Sequence, residues 1–293
     1  MSELRARATL GNDEIAGALA VADAAAASDG VGALSEHSML ALRAGRPALL
    51  AVDGDAIVGY ARFDPADPSG DEPASGEIVV HPAHRRRGHG RALLRAMIKE
   101  AGGPLRVWAH GDLPAAAALA AAEGFDRARA LFQLRRPAAD PLPAPKIADG
   151  VSLRAFRPGE DEDAWLRVNA RAFADHPEQG AWTIEDVRDR EAEDWFDPAG
   201  FFLAERAGRL AGFHWTKVHP GGIGEVYVVG VDPDAQGLGL GRALTLAGLH
   251  HLRDLGLDRL MLYVDESNTA AVRLYESLGF TRYAVDVMYG TGE

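Results

Sequence analysis

The stretch from Glu225 to Arg242 combines a carboxylate, a strand-forming segment and a glycine-rich turn, in the order EVYVVGVDPDAQGLGLGR. Its first half is rich in valine and predicts a buried strand with a bulge or a close backbone approach at Gly230. Apolar residues then recur at helical spacing from Leu240 to Leu255. A helix start offers unpaired N–H groups and a positive dipole end, and glycines let a ligand approach the backbone. These residues therefore indicate a pyrophosphate-binding site.

Two common nucleotide-binding motifs do not fit this turn. A Walker loop ends in Gly-Lys-Ser/Thr, which the sequence lacks, and a dinucleotide fingerprint from Gly237 needs a small residue where Arg242 stands. The residues Gln236-x-x-Gly239-x-Gly241 instead resemble the Gln/Arg-x-x-Gly-x-Gly/Ala signature of the GNAT acyltransferases, which bind the pyrophosphate of acetyl-CoA. This resemblance implies that the ligand is an acyl-CoA.

The same signature occurs earlier in the chain, between His81 and Arg91. Its Pro, Arg/Gln, Gly, Gly and Arg positions match the later copy at a constant offset of 151 (82 to 233, 85 to 236, 88 to 239, 90 to 241, 91 to 242). A second match, Gly124-Phe125 against Gly279-Phe280, is shifted by 155. Repetition on this scale indicates a duplicated domain.

Acetyl transfer to an amine needs a neutral nitrogen, and an α-amine has a pKa of about 7.7 to 8.0. A carboxylate acting through a water molecule can remove the remaining proton. Glu225 begins the strand beside the glycine-rich turn and is the candidate base. The alternative is that Glu225 only begins a strand at the surface.

The segment from Asn268 to Phe280 resembles the second GNAT signature, in which Asn caps a helix and a tyrosine seven residues later lies near the CoA sulfur. A phenol can donate to a leaving thiolate, so we predict that Tyr275 protonates it. The alternative is a core aromatic on an amphipathic helix.

The first copy has Ala120 and Leu113 where the second has Tyr275 and Asn268. We therefore predict that the first domain keeps a phosphate loop but has lost the chemistry. Three arginines would reinforce that loop, namely Arg85, Arg86 and Arg87. The alternative is that these arginines are merely solvated and the first site is empty.

Eight histidines raise the question of a metal: His81, His84, His89, His110, His214, His219, His250 and His251. No His-Glu-x-x-His or cysteine-containing spacing accompanies them, so we predict no metal site. Trp182, Trp195 and Trp215 are predicted to lie in the core rather than to contact a ligand.

Composition limits the remaining possibilities. A net charge of −12 over 293 residues argues against nucleic acid as a partner. No signal peptide and no apolar stretch long enough for a bilayer is evident, which predicts a cytoplasmic protein without membrane contact. Zero cysteines fit a reducing compartment and exclude an acyl-cysteine intermediate, so direct transfer is expected. We expect a monomer with small-molecule substrates.

The predicted elements give an α/β fold with two tandem GNAT domains. Residues 1–136 read as α, α, β, β, β, α, β, α, β, a mixed sheet with helices on its faces. The first two helices would be capped by Asn12 or Asp13 and by Ser35. Four prolines make residues 137–150 a stiff linker and the domain boundary, and residues 151–293 repeat the pattern.

Three further segments, residues 175–183, 193–198 and 212–220, together with the tandem organisation, resemble the mycothiol synthase family. The resemblance covers nearly the whole chain and is closest in the second domain. The resemblance implies acetyl transfer from acetyl-CoA to the cysteinyl amine of cysteinyl-glucosaminyl-inositol. It also implies one acetyl-CoA per domain, with only the carboxy-terminal domain catalytic.

The family's motifs carry its site residues onto this chain. The acceptor contacts fall on Glu36, Glu178, Lys217, Glu225 and Tyr263. The first CoA site falls on Ile78, Val79, Val80, Arg86, Arg87, Gly88, His89, Gly90 and Arg91. The second CoA site falls on Val229, Gly230, Val231, Gln236, Gly237, Leu238, Gly239, Leu240, Gly241, Arg242, Asn268, Thr269, Ala270, Ala271, Val272 and Arg273.

Two rival functions remain open at this point. One is a tandem GNAT enzyme that acts on another small amine or a peptide amino terminus. The other is a non-catalytic acyl-CoA sensor, against which the presence of Tyr275 in one copy counts.

Overall fold

The computed structural model describes residues 3–66, 73–174 and 177–291, without the side chains of residues 177 and 178. These residues form two compact units. The first contains residues up to 132 together with 265–267 and 284–293, and the second contains residues 133–264 and 268–283. Within the described residues, no helix is both long and apolar enough to cross a membrane.

The first unit is a mixed sheet with helices on both faces. Its elements are β1 (Glu3–Arg7), α1 (Asn12–Asp29), α2 (Glu36–Arg43), β2 (Ala48–Asp53), β3 (Ala56–Asp64), β4 (Ala74–Val80), α3 (His89–Ala101), β5 (Leu105–Ala109), α4 (Pro114–Ala122) and β6 (Phe125–Pro137). The strand order is β1-β2-β3-β4-β5, followed by β12 (Thr281–Thr291). β4 and β5 are parallel and the other neighbours in this series are antiparallel.

The second unit repeats this architecture. Its elements are β7 (Val151–Ala155), α5 (Glu162–Ala172), α6 (Pro177–Gly180), α7 (Ile184–Glu191), β8 (Phe201–Arg206), β9 (Arg209–His219), β10 (Ile223–Val231), α8 (Leu240–Asp254), β11 (Arg259–Asp265) and α9 (Thr269–Ser277). The strand order is β11-β10-β9-β8-β7, with only β10 and β11 parallel. The predicted α/β class with two GNAT-type sheets is confirmed.

Local signals set most element ends. Ser35 caps α2 by accepting from the backbone N–H of Ser38, as predicted, and Gly30 ends α1 in the left-handed conformation with φ of 73°. The predicted cap of α1 at Asn12 or Asp13 is wrong, because Gly11 occupies that position. The order predicted for residues 1–136 also lacks β1, a short edge strand with little apolar signal.

The two units do not coincide with the predicted ranges 1–136 and 151–293. Residues 284–293 belong to the first unit because β12 pairs with β5, Val287 lying opposite Ala109. The predicted linker, residues 137–150, lies inside the second unit, where Ala138 is buried and donates a hydrogen bond to the carbonyl of Asp258. Strands β6 and β12 both contribute residues to both units.

Each unit buries its own core. In the second unit, one face of the sheet holds an aromatic cluster in which Trp165 and Trp215 are fully buried and Phe201 stacks on Trp215 at 4.5 Å between ring centroids. Trp215 is therefore a core residue, as predicted, while Trp182 and Trp195 pack against the same cluster and remain partly exposed. This cluster fixes the strands that carry the candidate site.

Candidate active site

Strand β10 separates from β11 partway along its length. The pairing with β11 ends at Val226, whereas the pairing with β9 continues to Val231. A register shift between Val226 and Val228 makes Tyr227 a bulge. Backbone groups from Tyr227 to Val231 on the β11 side are therefore outside the ladder and can bind a ligand. The predicted CoA residues Val229 to Val231 lie in this opening.

The space beside the Cα atom of Gly230 is filled by a core side chain. A Cβ added there would lie 2.6 Å from a ring carbon of Phe213. The predicted close approach at Gly230 is confirmed, although the approaching group is a core side chain and the bulge lies three residues earlier, at Tyr227. Glycine lets β10 pack closely on β9 at this point.

The glycine-rich turn leads into α8 through two left-handed residues, Gly237 with φ of 80° and Gly239 with φ of 72°. Helix α8 starts at Leu240, so the first-turn amides follow directly on this turn. Arg242 lies beside it and donates to Ser277 Oγ at 2.9 Å. The arrangement has the amides and the positive helix end that a pyrophosphate requires.

The first unit has the same turn at the predicted offset. Gly88 precedes α3 with φ of 89°, and Arg86 has φ of 63° at the position that corresponds to Gly237. A non-glycine residue in this conformation is strained by about 1 kcal/mol or more. Strand β4 also leaves its ladder with β5 after Glu77 while it stays paired with β3 to Val80. The predicted residues Ile78 to Val80 lie in this second opening.

Arg85 is not available to bind a phosphate in the way the sequence suggested. Its guanidinium forms two hydrogen bonds with the carboxylate of Asp29, at 2.7 and 2.6 Å, and a third with the carbonyl of Val80. Arg87 is about half exposed at the same turn. The cationic reinforcement of this loop is therefore smaller than predicted.

Glu225 is buried rather than at the surface, with only 6 % of the residue exposed. Its Oε2 lies 2.6 Å from Nε2 of His219, which ends β9. Across the β9–β10 ladder its partner is Lys217. A buried carboxylate with a histidine partner beside an open backbone edge is suited to accept a proton. The surface interpretation of Glu225 is wrong.

Lys217 is also buried, with 7 % exposed, which excludes a solvated strand end. Its ammonium lies 4.3 Å from the ring centroid of Trp195 and 5.2 Å from that of Tyr227. The Tyr227 hydroxyl in turn accepts a hydrogen bond from Arg190 at 2.8 Å. Lys217 is the cross-strand partner of Glu225, so a cation held over aromatic rings lies beside that carboxylate.

Tyr275 lies on α9 and is 9 % exposed, with its ring 6.0 Å from that of Phe280. Asn268 caps this helix by accepting from the backbone N–H of Ala271, as predicted. Burial raises the pKa of Tyr275 to about 12. The phenol therefore keeps its proton across the working pH range and can donate a hydrogen bond. It is a weaker acid than a free tyrosine with a pKa of about 10.

The first unit lacks these groups. Counted in paired positions along β4, Ser75 stands where Glu225 stands on β10, and the buried Ala120 takes the place of Tyr275. Within the described ladder, β4 pairs with β3 without a register shift, so the bulge is absent there as well.

The first unit instead buries an ionic cluster. Imidazole nitrogens of His110 lie 3.3 Å from Glu77 Oε2 and 3.0 Å from Asp286 Oδ2. Burial opposes the charge on His110, but hydrogen bonds and charges of Asp286 and Glu77 outweigh it and raise the pKa of His110 to about 10. Burial also opposes the charge on Glu77, yet His110 and Ser35 hold its pKa at about 2. This cluster links β4 to the start of α2, and it does not position a reacting group.

The remaining predicted acceptor contacts are less closely defined. Glu36 begins α2 in the first unit, and Tyr263 on β11 is 41 % exposed with its hydroxyl hydrogen-bonded to Gln133. The side chain of Glu178 lies outside the described residues. These three contacts stay predictions.

His219 was not predicted to be a partner of Glu225 and was considered only as a metal ligand. The signal that could have found it is the tight turn between β9 and β10, which places residues six apart on facing strands. Tyr227 was missed because a bulge is not visible in an unbroken run of β-forming residues.

The chain is similar to known proteins over nearly its whole length. Residues 23–125 and 165–280 match the model of the acetyltransferase (GNAT) family. The mycothiol acetyltransferase of Thermomonospora curvata is 70 % identical over 283 residues, covering 96 % of this chain and 94 % of that protein. The mycothiol acetyltransferase of Thermobispora bispora is 62 % identical, covering 97 % of each.

Solved structures share the fold over nearly the full length. A GCN5-related N-acetyltransferase from Sphaerobacter thermophilus matches with a TM-score of 0.74 and 23 % identity, covering 98 % of this chain and 95 % of that one. A tandem GNAT protein from the clavulanic acid biosynthesis pathway matches with a TM-score of 0.71 and 21 % identity, covering 99 % and 98 %. At these identities the likeness concerns the fold.

Proposed function

The chain belongs to the acetyltransferase (GNAT) family, and within it to the mycothiol acetyltransferases, and we propose that it makes mycothiol by acetylating cysteinyl-glucosaminyl-inositol. The acetyl donor in this family is acetyl-CoA, and the products are mycothiol and CoA. The observation that carries the proposal is the opening of β10 from β11 at the Tyr227 bulge, directly after the buried Glu225.

The proposed reaction gives one role to Glu225 and one to Tyr275. The cysteinyl nitrogen attacks the thioester carbonyl, a C–N bond forms, and the C–S bond breaks to release the CoA thiolate. Glu225 accepts the amine proton through a water molecule. Tyr275 donates a hydrogen bond to the departing sulfur and keeps its proton. With no cysteine in the chain, the acetyl group passes directly to the acceptor.

Lys217, Glu225 and Tyr263, with Glu36 and Glu178, are proposed to bind the acceptor. A pseudodisaccharide has many hydroxyl groups and needs carboxylates, an ammonium and phenols as hydrogen-bonding partners. The rigid aromatic setting of Lys217 supports a fixed position for its three donors.

The first domain is proposed to bind acetyl-CoA without catalysis. Support comes from its β4–β5 opening and from its left-handed turn before α3, which repeat the features of the second domain. Ser75 and Ala120 cannot supply a base or a phenol. We also propose that the enzyme is cytoplasmic, in keeping with its lack of cysteine, and that it acts as a monomer.

The test is to follow CoA release with acetyl-CoA and a panel of acceptors. The panel contains cysteinyl-glucosaminyl-inositol, glucosaminyl-inositol without cysteine, an aminoglycoside and a peptide with a free amino terminus. We expect kcat/KM for the first to exceed the others by at least about 100-fold, because a polar site discriminates strongly against acceptors that leave its groups unpaired. Equal or greater kcat/KM for another amine would overturn the proposed acceptor.

A further inference from the structure

Three side chains of the types that bind metals meet in the first unit. Asp53 ends β2, His84 precedes the phosphate loop and His89 is the first residue of α3. One possible ligand atom from each lies within 4.8 Å of the others, and His84 Nδ1 is 3.6 Å from Asp53 Oδ2. We call this group the Asp53 cluster. No short sequence motif contains it, because Asp53 comes from a different segment.

The two histidines of the Asp53 cluster are poorly satisfied. Among the described residues, Nδ1 of His84 and both ring nitrogens of His89 are buried without a hydrogen-bond partner. His89 is only 3 % exposed. Buried polar groups normally have partners, so three orphaned nitrogens at one place indicate a missing ligand.

The second unit shows that the fold itself does not require these residues. At the offset of 151, His84 corresponds to Ala235 and His89 to Leu240, and both are buried in an apolar cluster. Asp53 closes the β2–β3 hairpin where Arg206 closes the β8–β9 hairpin. At all three positions of the Asp53 cluster, the first copy thus has a residue that can bind a metal and the second copy has one that cannot.

We propose that Asp53, His84 and His89 bind a divalent transition-metal ion of the zinc type. Two imidazoles and one carboxylate are a frequent zinc ligand set, with a water molecule in the fourth position. Zn–N distances of about 2.0 to 2.1 Å place ligand atoms about 3.4 Å apart in a tetrahedron, so binding draws the three groups inward by about 1 Å. His84 also lines a cavity of about 430 Å³.

The site would hold the phosphate loop of the first unit at both ends. His84 and His89 flank the loop that contains Arg86 with its φ of 63°, and Asp53 ties them to the sheet. Arg87, whose Nη1 lies 3.8 Å from Asp53 Oδ2, would be released to solvent. The ion therefore orders this loop and takes no part in acetyl transfer.

The test uses the full chain after treatment with a chelator. Zinc is added while binding is followed by isothermal titration calorimetry and unfolding by differential scanning fluorimetry. We expect one Zn²⁺ per chain with micromolar or tighter affinity and a rise in Tm of roughly 5 °C, with no such shift from Mg²⁺. Substitution with Co²⁺ should give the intense visible absorption of a tetrahedral site.

The variant His84→Ala/His89→Leu places the residues of the second copy in the first and should abolish the zinc-induced shift. Asp53→Arg also introduces the residue of the second copy and should also abolish the zinc-induced shift. Because it alters the end of a hairpin, it serves as the test if the double variant folds poorly. His250→Ala, which alters a histidine outside the Asp53 cluster, is the matched control and should keep full binding. Absence of stoichiometric zinc binding in the unaltered chain, or its persistence in both cluster variants, would overturn the proposal.

Discussion

Replacing Tyr275 by phenylalanine separates hydrogen bonding from proton transfer at the leaving sulfur. Burial raises the pKa of Tyr275 to about 12, while a thiol has a pKa of about 8.5. Complete transfer of the phenol proton to the thiolate is therefore uphill by roughly 3.5 pKa units, or about 5 kcal/mol. A hydrogen bond to a charged group contributes about 1.5 to 3 kcal/mol. Tyr275→Phe should accordingly reduce kcat by about 10- to 150-fold.

The assay is CoA release under saturating substrates from pH 6 to 10, with acetyl-CoA binding measured separately. We expect no change in acetyl-CoA affinity and no loss of stability, because no described residue hydrogen-bonds the Tyr275 hydroxyl. Tyr283→Phe, which alters an exposed phenol stacked on Arg135, is the matched control and should leave kcat unchanged. A loss beyond about 1,000-fold, or a basic limb below pH 10 that vanishes in Tyr275→Phe, would refute the reasoning.

The remaining predictions concern three ionisable groups. Glu225→Gln should lower kcat by about 100-fold or more near pH 7, and kcat should recover at higher pH, where the amine loses its proton without a base. The measurement is the pH–rate profile of the variant. If kcat does not recover, Glu225 binds the acceptor and is not the base. The pKa of His110 is raised from 6.5 to about 10, so its stabilisation should be present below pH 6.5 and lost as the pH rises through 10. The pKa of Glu77 is lowered from 4.5 to about 2, so its stabilisation should be lost as the pH falls between these values. Urea unfolding of His110→Ala at pH 7 should show a loss of about 3 to 5 kcal/mol, and an unchanged stability would refute the ionic cluster.

The parts of the site that the sequence predicted are those that short segments encode. The turn before α8 follows from its glycines, and the same backbone conformation recurs before α3 although Arg86 replaces Gly237. The cap of α9 follows from Asn268 in the same way. In each case the signal spans fewer than ten residues, so the local sequence is sufficient.

Contacts between distant segments were not predictable in this manner. The pairing of Glu225 with His219 depends on the register of β9 against β10, and the bulge at Tyr227 changes that register without any break in the strand pattern. The burial of His110 between Glu77 and Asp286 joins residues more than 170 positions apart. A single sequence carries no signal for such pairs.

The position of β12 determines what a truncation of this duplicated chain would remove. Its residues Val287 to Tyr289 are buried and pair with β5, which is far from them in the sequence. A fragment that stops in the proline-rich segment would lack this strand, and β5 would become a bare, aggregation-prone edge. The first half of the chain is therefore not an autonomous module, because its sheet includes a strand that is encoded in the second half.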